Sequence, residues 1–382
     1  MIPYGKQNIS EQDIEAVVEV LRSDYLTQGP CVPEFEKALC ELSRAEYALA
    51  TNSATSALHI ACKALEVGNG DIVWTSPITF VASANCALYC GAKVDFVDIN
   101  PDTFNLCPKA LEQKLEQAKR QGKLPKVLIA VHMCGQPCDM QVISALGKQY
   151  NFKIIEDASH AIGGRYLNEN IGNCNHSDIT VFSFHPVKII TTGEGGAALT
   201  NAPELHKKML LLRSHGVTRD PQLMDQAPDG DWYYQQVDLG FNYRMTDLQA
   251  ALGTSQLRKI SPWIEQRQKL AQRYTTGLSQ LPLDLPFELE EASSAWHLYV
   301  IRLHDASKRK QLFAHLRQNK INVNVHYIPV HLHPYYQALG FQVGDFPVAE
   351  NYYHRAISLP LYPGLSDSQQ DYVMHSLAEG LR

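Results

Sequence analysis

A chain of 382 residues with 45% hydrophobic and 19% charged residues has an ordinary globular composition and is long for one core, so one large and one smaller unit are expected. A net charge of −6 with no basic block argues against nucleic acid as the main partner. No apolar run approaches the roughly 18 residues of a membrane span and the N-terminus shows no signal-peptide pattern, so no membrane partner and a cytoplasmic location are expected. The nine cysteines are scattered; Cys86/Cys90 and Cys134/Cys138 lack CxxC spacing, which predicts reduced thiols.

In chain order, Ser10 with Glu11 and Asp13 reads as an N-cap and acidic first turn. Ile14, Val17, Val18 and Leu21 then give a helix one apolar face. Leu26 to Pro30 is an exposed turn, and a short helix is expected from Pro33 to Leu42. Tyr47–Ala50 reads as a strand leading into Thr51-Asn52-Ser53-Ala54-Thr55-Ser56-Ala57, after which Leu58, Ala61, Cys62 and Leu65 fall at helical spacing. Thr55 and Ser56 therefore sit at a helix N-terminus, where free N–H groups and the helix dipole suit either ordinary capping or a phosphate. Strands are expected at Asp71–Ser76, Val94–Ile99 and Val127–Val131, and helices at Phe80–Tyr89 and Val142–Tyr150. Phe80 suits stacking on a flat ring or a place in the core.

The stretch from Asn151 to Asn201 carries the chemistry. Lys153–Ile155 is an apolar run ending in Glu156-Asp157, and Ile179–Phe184 is a second, followed by Lys188 and Gly193-Glu194-Gly195-Gly196. A carboxylate and a lysine thus stand just past two strand ends, where open α/β sheets bind ligands. Lysine forms a Schiff base with a carbonyl, and a carboxylate facing a pyridine nitrogen keeps pyridoxal phosphate an electron sink. Lys188 and Asp157 are the candidates for those roles; a helix cap and a surface lysine are the bland alternatives. The alternation of strands and helices from about 47 to 200 predicts a mainly parallel, helix-covered sheet.

Further on, Glu204–Ser214 is expected to be helical and the segment 222–236 a loop. Thr246 caps a long helix expected to run to about Leu281 with a bend at Ser261-Pro262, bridging a unit of residues 1–250 and one of residues 251–382. His297–Leu303 and Ile321–Val325 are expected strands around a helix at Ser307–Gln318. His326, His331 and His333 crowd one loop, but no HExxH or nearby carboxylate supports a metal there. Ser366 to Gln369 is a capping box opening the last helix.

ATNSATSALHIA, SPITFVASANCALYCGAKVDFVDI, IIEDASHAIG, SFHPVKIITTGEGGA, LLRSHG and DLGFNYRMTDLQAALG together resemble the DegT/StrS family of sugar-nucleotide aminotransferases. The resemblance runs from about Pro3 to the C-terminus. It implies the α/β fold type I of pyridoxal 5′-phosphate enzymes: a large domain with a mainly parallel seven-stranded sheet between helices, and a smaller α+β C-terminal domain. It further implies Lys188 as Schiff-base lysine and proton shuttle, Asp157 against the pyridinium nitrogen, and Phe80 stacked on the ring. Thr55, Ser56 and Ser183 would hold the phosphate, with Asn242 reaching it from the partner of a homodimer with shared sites. His160 would lie near the ring hydroxyl, where much of the family has Gln, and Ala54 replaces a common Gly. Tyr4, Thr27, Gly29, Tyr327 and the partner's Arg244 would meet the substrate.

The opening residues 2–30, the NSATSA and DASHAIG variants and NVHYIPVH are similar to members of the pseudaminic acid pathway. That similarity implies amination at C4 of UDP-2-acetamido-2,6-dideoxy-β-L-arabino-hexos-4-ulose by L-glutamate. A different UDP- or dTDP-linked keto sugar is the nearest alternative. A sugar dehydratase of the same family would carry His in place of Lys188. A nicotinamide oxidoreductase would need a GxGxxG that is absent. A non-catalytic binding protein would not need Lys188, Asp157 and Ser183 together.

Overall fold

The computed structural model describes residues 1–382. Its seven-stranded sheet is made of β1 (Tyr47–Thr51), β2 (Ile72–Thr75), β3 (Lys93–Phe96), β4 (Val127–Val131), β5 (Lys153–Asp157), β6 (Ile179–Ser183) and β7 (Gly196–Thr200). The spatial order is β1-β7-β6-β5-β4-β2-β3. Strands β2 to β6 pair in parallel, while β7 runs antiparallel to both β6 and β1. The helices before and between these strands are α1 (Glu11–Arg22), α2 (Cys31–Ser43), α3 (Ala54–Ala64), α4 (Ala82–Tyr89), α5 (Pro108–Gln121) and α6 (Met140–Tyr150), and α7 (Pro203–Arg213) follows β7. Continuous apolar strands such as Val127–Val131, buried throughout, are what a sheet covered on both faces requires.

The two faces are sorted by strand parity. Leu128, Ala130, Ile154 and Phe182 pack with α2, α5 and α6 on one face. Val127, Ile129, Val131, Ile155, Ile179 and Val181 pack with α3 and α4 on the other. By the same alternation Glu156 belongs to the first face and Asp157 to the second. Glu156 indeed turns away from α3, to accept a 2.7 Å hydrogen bond from buried His132, with Ser177 and Thr180 also donating to it. His132 accepts the backbone N–H of Cys138 at its other ring nitrogen, so this pair is wholly satisfied inside the core.

The chain continues with α8 (Asp247–Leu257), α9 (Ile260–Leu278), β8 (Leu283–Asp284), β9 (Tyr299–Leu303), α10 (Arg309–Gln318), α11 (Pro347–Arg355), β10 (Ala356–Leu359) and α12 (Asp367–Leu381). The strands β8, β9 and β10 form a separate antiparallel sheet. A third apolar core joins α9, β9, α10, β10 and α12, and includes Ile2.

Several expectations are corrected. The long helix is two helices, broken at Arg258-Lys259 rather than bent at Ser261-Pro262; Pro262 lies in the first turn of α9, where its missing N–H costs nothing. Ile321–Val325 is not a strand: its only β-pairings are the single bridges Ile2–Ile321 and Asn324–Ser358. The seventh sheet strand is β7, whose GAALT sequence is small, fully buried and without alternation. Helices α5 and α11 and strand β10 arise where no element was expected. Phe80 precedes its helix, which starts at Ala82.

Asp13 shows how packing reuses a first-turn acid. It closes a capping box with Ser10, yet is fully buried, taking Ser255, Gln256 and Lys259 from the α8–α9 segment at 2.6–2.7 Å. Burial opposes its charge, but Lys259 and the other donors outweigh burial and hold its carboxyl below the usual aspartate range. Its stabilising contribution is therefore present at neutral pH and lost as pH falls through that lowered value. Asp13→Ala is expected to lower stability at pH 7 by about 2–4 kcal/mol, because it strands Lys259 and two hydroxyl or amide donors. Urea unfolding at pH 7 and again near pH 3 checks this, with the gap between variant and wild type closing at the lower pH.

Candidate active site

The carboxyl ends of β4, β5 and β6 open into a cleft of about 830 Å³. Val131, Asp157 and Ser183, the last residues of those strands, lie on its floor. The N-terminus of α3 stands on one side, reached directly from β1. Ser53 caps it by accepting the Ser56 N–H, and the remaining first-turn N–H groups have no partner within the helix. Gly196 makes this approach possible: a Cβ there would lie 2.4 Å from the Ala54 nitrogen. The opposite wall is Asn324 to Ile328 with His297, and Tyr4 closes it from the N-terminal arm.

Lys188 follows β6 by one tight turn, its N–H bonded to the His185 carbonyl, and its side chain lines the cleft. Burial lowers its pKa to about 8, against the opposing attraction of Asp157. Asp157 is 5% exposed. Its Oδ2 accepts from Ser83 Oγ at 2.6 Å, and its Oδ1 from both Ser159 Oγ at 2.6 Å and Ser159 N–H at 3.1 Å. Phe80, 58% exposed, presents its ring to the cleft, 6.2 Å from that of Tyr327.

Three buried histidines of the cleft are held neutral. Burial first, and Lys188 with neighbouring histidines second, depress His160 and His297 well below the usual range and His326 to about 4. His160 Nε2 meets the Tyr327 hydroxyl at 3.2 Å, while its buried Nδ1 has no protein partner. The histidine-rich loop is thus split: His326 bonds Ser358 and His333 lines the cleft, while His331 pairs with Glu350 at 2.9 Å, a carboxylate distant in sequence.

The structure brings Tyr4, Thr55, Phe80, Asp157, His160, Ser183, Lys188 and Tyr327 to one cleft. Ser56 is adjacent but turned inward, bonded to Asn52 and Ser53. Thr27, Gly29, Asn242 and Arg244 do not line this protomer's cleft. Thr27 is exposed on the loop whose Leu26 carbonyl accepts the Asp247 N–H. Exposed Asn242 and half-buried Arg244 bridge Ser214 and Thr51. Ser53, Ser83, Ser159, Glu194 and His297 were not anticipated. Ser83 and Ser159 stand inside the quoted motifs VASAN and DASHAIG, but only the fold shows that both reach Asp157.

Comparison with known proteins agrees with this geometry. The spore coat polysaccharide biosynthesis protein SpsC of Bacillus subtilis is 38% identical, with 99% of this chain and 96% of SpsC covered. The UDP-4-amino-4,6-dideoxy-N-acetyl-β-L-altrosamine transaminase of Campylobacter jejuni is also 38% identical, over 99% of this chain and 96% of its own. Among solved structures, PseC of Helicobacter pylori, an aminotransferase involved in the biosynthesis of pseudoaminic acid, superposes with a TM-score of 0.91 at 33% identity, covering 100% and 99% of the two chains. The PLP form of the putative sugar aminotransferase Spr1654 of Streptococcus pneumoniae gives 0.89 at 31% identity, covering 99% and 98%. The DegT/DnrJ/EryC1/StrS aminotransferase family matches residues 7–378, and with a lysine and a clamped carboxylate at adjoining strand ends of a fold type I sheet, the chain belongs to that family and is an aminotransferase.

Proposed function

We propose that this aminotransferase moves the amino group of L-glutamate to C4 of UDP-2-acetamido-2,6-dideoxy-β-L-arabino-hexos-4-ulose, in the cytoplasm, as a homodimer with shared sites. The observation that carries the chemistry is the pairing of Lys188 with Asp157 in one cleft beneath the α3 N-terminus. The sugar follows from similarity to the Campylobacter transaminase over nearly the whole chain.

The cofactor is pyridoxal 5′-phosphate, and the residues present fit it. The first turn of α3, with Thr55 and the nearby Ser183, suits the phosphate. Asp157 offers a carboxylate whose three hydrogen bonds come only from neutral groups, which suits a protonated pyridine nitrogen. The unpartnered Nδ1 of His160 is a buried polar atom the protein leaves open, suited to the ring hydroxyl. Phe80 suits the ring face.

When bound, the cofactor supplies an electron-withdrawing ring that takes up the electron pair left by a departing proton. Asp157 holds the ring nitrogen protonated. Lys188, with its amine near neutral pKa, accepts the proton from the amino-acid α-carbon at Nζ and later returns one to the sugar carbon. The neutral His160, His297 and His326 keep the wall free of competing cations. Lys188 is the only lysine or arginine on the wall. The carboxylates of glutamate and the diphosphate of the sugar nucleotide need further cations, which supports delivery of Arg244 from a second copy.

The test is the visible spectrum of the holoprotein before and after L-glutamate, followed by a panel of UDP- and dTDP-linked 4-keto sugars. Glutamate is expected to bleach the cofactor band and the UDP-β-L-arabino-hexos-4-ulose to restore it. Restoration by a different keto sugar alone would replace the substrate, and no response to glutamate would remove the donor. Lys188→Ala is expected to keep the fold and lose turnover by ~10³-fold or more, the scale of a lost proton carrier. With apoprotein, the rate of capture of added pyridoxal phosphate should rise about tenfold per pH unit and level off above pH 8, since only the free amine reacts. A lysine with an ordinary value of 10.5 would keep gaining rate through pH 10.

A further inference from the structure

Asp157 is fixed by a directed chain of hydroxyls. Ser83 has one hydroxyl proton, and its Oγ lies 2.6 Å from Asp157 Oδ2. An ionised carboxylate only accepts, so that proton points to Asp157. Thr79 Oγ1, 2.8 Å from Ser83 Oγ, must then be the donor in their contact. On the other oxygen, Ser159 gives both its hydroxyl and its N–H. Thr79 and Ser83 are buried and bracket the start of α4, whereas Ser159 is partly exposed at the end of β5. Two elements of different origin thus converge on one carboxylate.

We infer that Thr79, Ser83 and Ser159 are positioning residues that keep both oxygens of Asp157 engaged as acceptors, so that the proton it shares with the cofactor ring resides on the ring nitrogen. Hydrogen bonds donated to a carboxylate stabilise its charged form. Removing them leaves a carboxyl oxygen without its donor, and the shared proton moves from the ring to that oxygen. The inference rests on the pyridoxal phosphate reading of the cleft.

The experiment loads the full-length protein with pyridoxal phosphate labelled with ¹⁵N in the ring and reads the ring-nitrogen chemical shift, which reports where the proton resides. Wild type is expected to give the protonated value. Ser159→Ala and Ser83→Ala should each move the shift toward neutral pyridine, Thr79→Val less so, and Ser159→Thr should return it. Each lost serine hydroxyl should also weaken cofactor binding by about tenfold and lower kcat with KM little changed, the scale of a hydrogen bond to a charged group. A role in packing alone would lower stability and leave the ¹⁵N shift unmoved. An unchanged shift with cofactor affinity within twofold of wild type in Ser159→Ala would overturn the inference, whether or not the buried Ser83 variant folds. Asp157→Asn separates the two readings. If it loses the protonated signal while the serine variants keep it, only the positioning role fails; if it too leaves the signal unchanged, the assignment of Asp157 itself fails.

Discussion

A carboxylate removed from water must be met by donors or it takes up a proton, and Asp157 is met only by neutral ones. That constraint organises the site. The parity of β5 turns Asp157 toward α3 and α4 and Glu156 toward α5 and α6. The start of α4 brings Ser83, and the turn after β5 brings Ser159. None of these donors is a fixed cation. A cationic ring nitrogen is the complement that such a carboxylate can accept.

The electrostatics of the opposite partner follow from the same burial. Lys188 is drawn into the cleft by a tight turn after β6, and burial makes its amine easier to deprotonate. Around it the protein places histidines rather than lysines or arginines. Burial keeps His160, His297 and His326 neutral, so they donate and accept hydrogen bonds without repelling the amine or competing for Asp157. His160 with Tyr327 and His326 with Ser358 show these rings working as fixed polar groups. The third histidine of that loop, His331, has no part in the site. Its pairing with Glu350 is a packing matter of the segment that carries the loop.

Much of the sheet was legible because buried strands are short apolar runs between turn residues; five of the seven announced themselves that way, and edge strand β3 did so by alternation. β7 did not: alanine and glycine carry little hydrophobic signal, and the strand is set by fitting between β1 and β6 and under Ala54. Ile321–Val325 looked like a strand by composition, but it makes only isolated bridges, Ile321 to Ile2 and Asn324 to Ser358 on the free edge of β10, and no continuous ladder. The break between α8 and α9 has no proline at the break itself; Lys259 there turns to meet Asp13 of α1, a contact 246 residues distant in sequence. Asp13 was readable as a helix-dipole acid and is in fact the anchor of the N-terminal arm.

By itself, the sequence determined which chemical groups stand at strand ends and helix starts: Asp157, Ser183, Lys188 and the Thr55 turn. Those follow from local periodicity and turn residues, and the ordered motifs added the family. Only the tertiary structure decided which of two adjacent acids faces the cleft, which serines hold it, which histidines of one loop enter the site, and that Arg244 and Asn242 stay off the wall of their own protomer. These are matters of which face of a strand meets which helix, and of distances between residues far apart in the chain. Periodicity encodes that a side chain is buried; it does not encode against what.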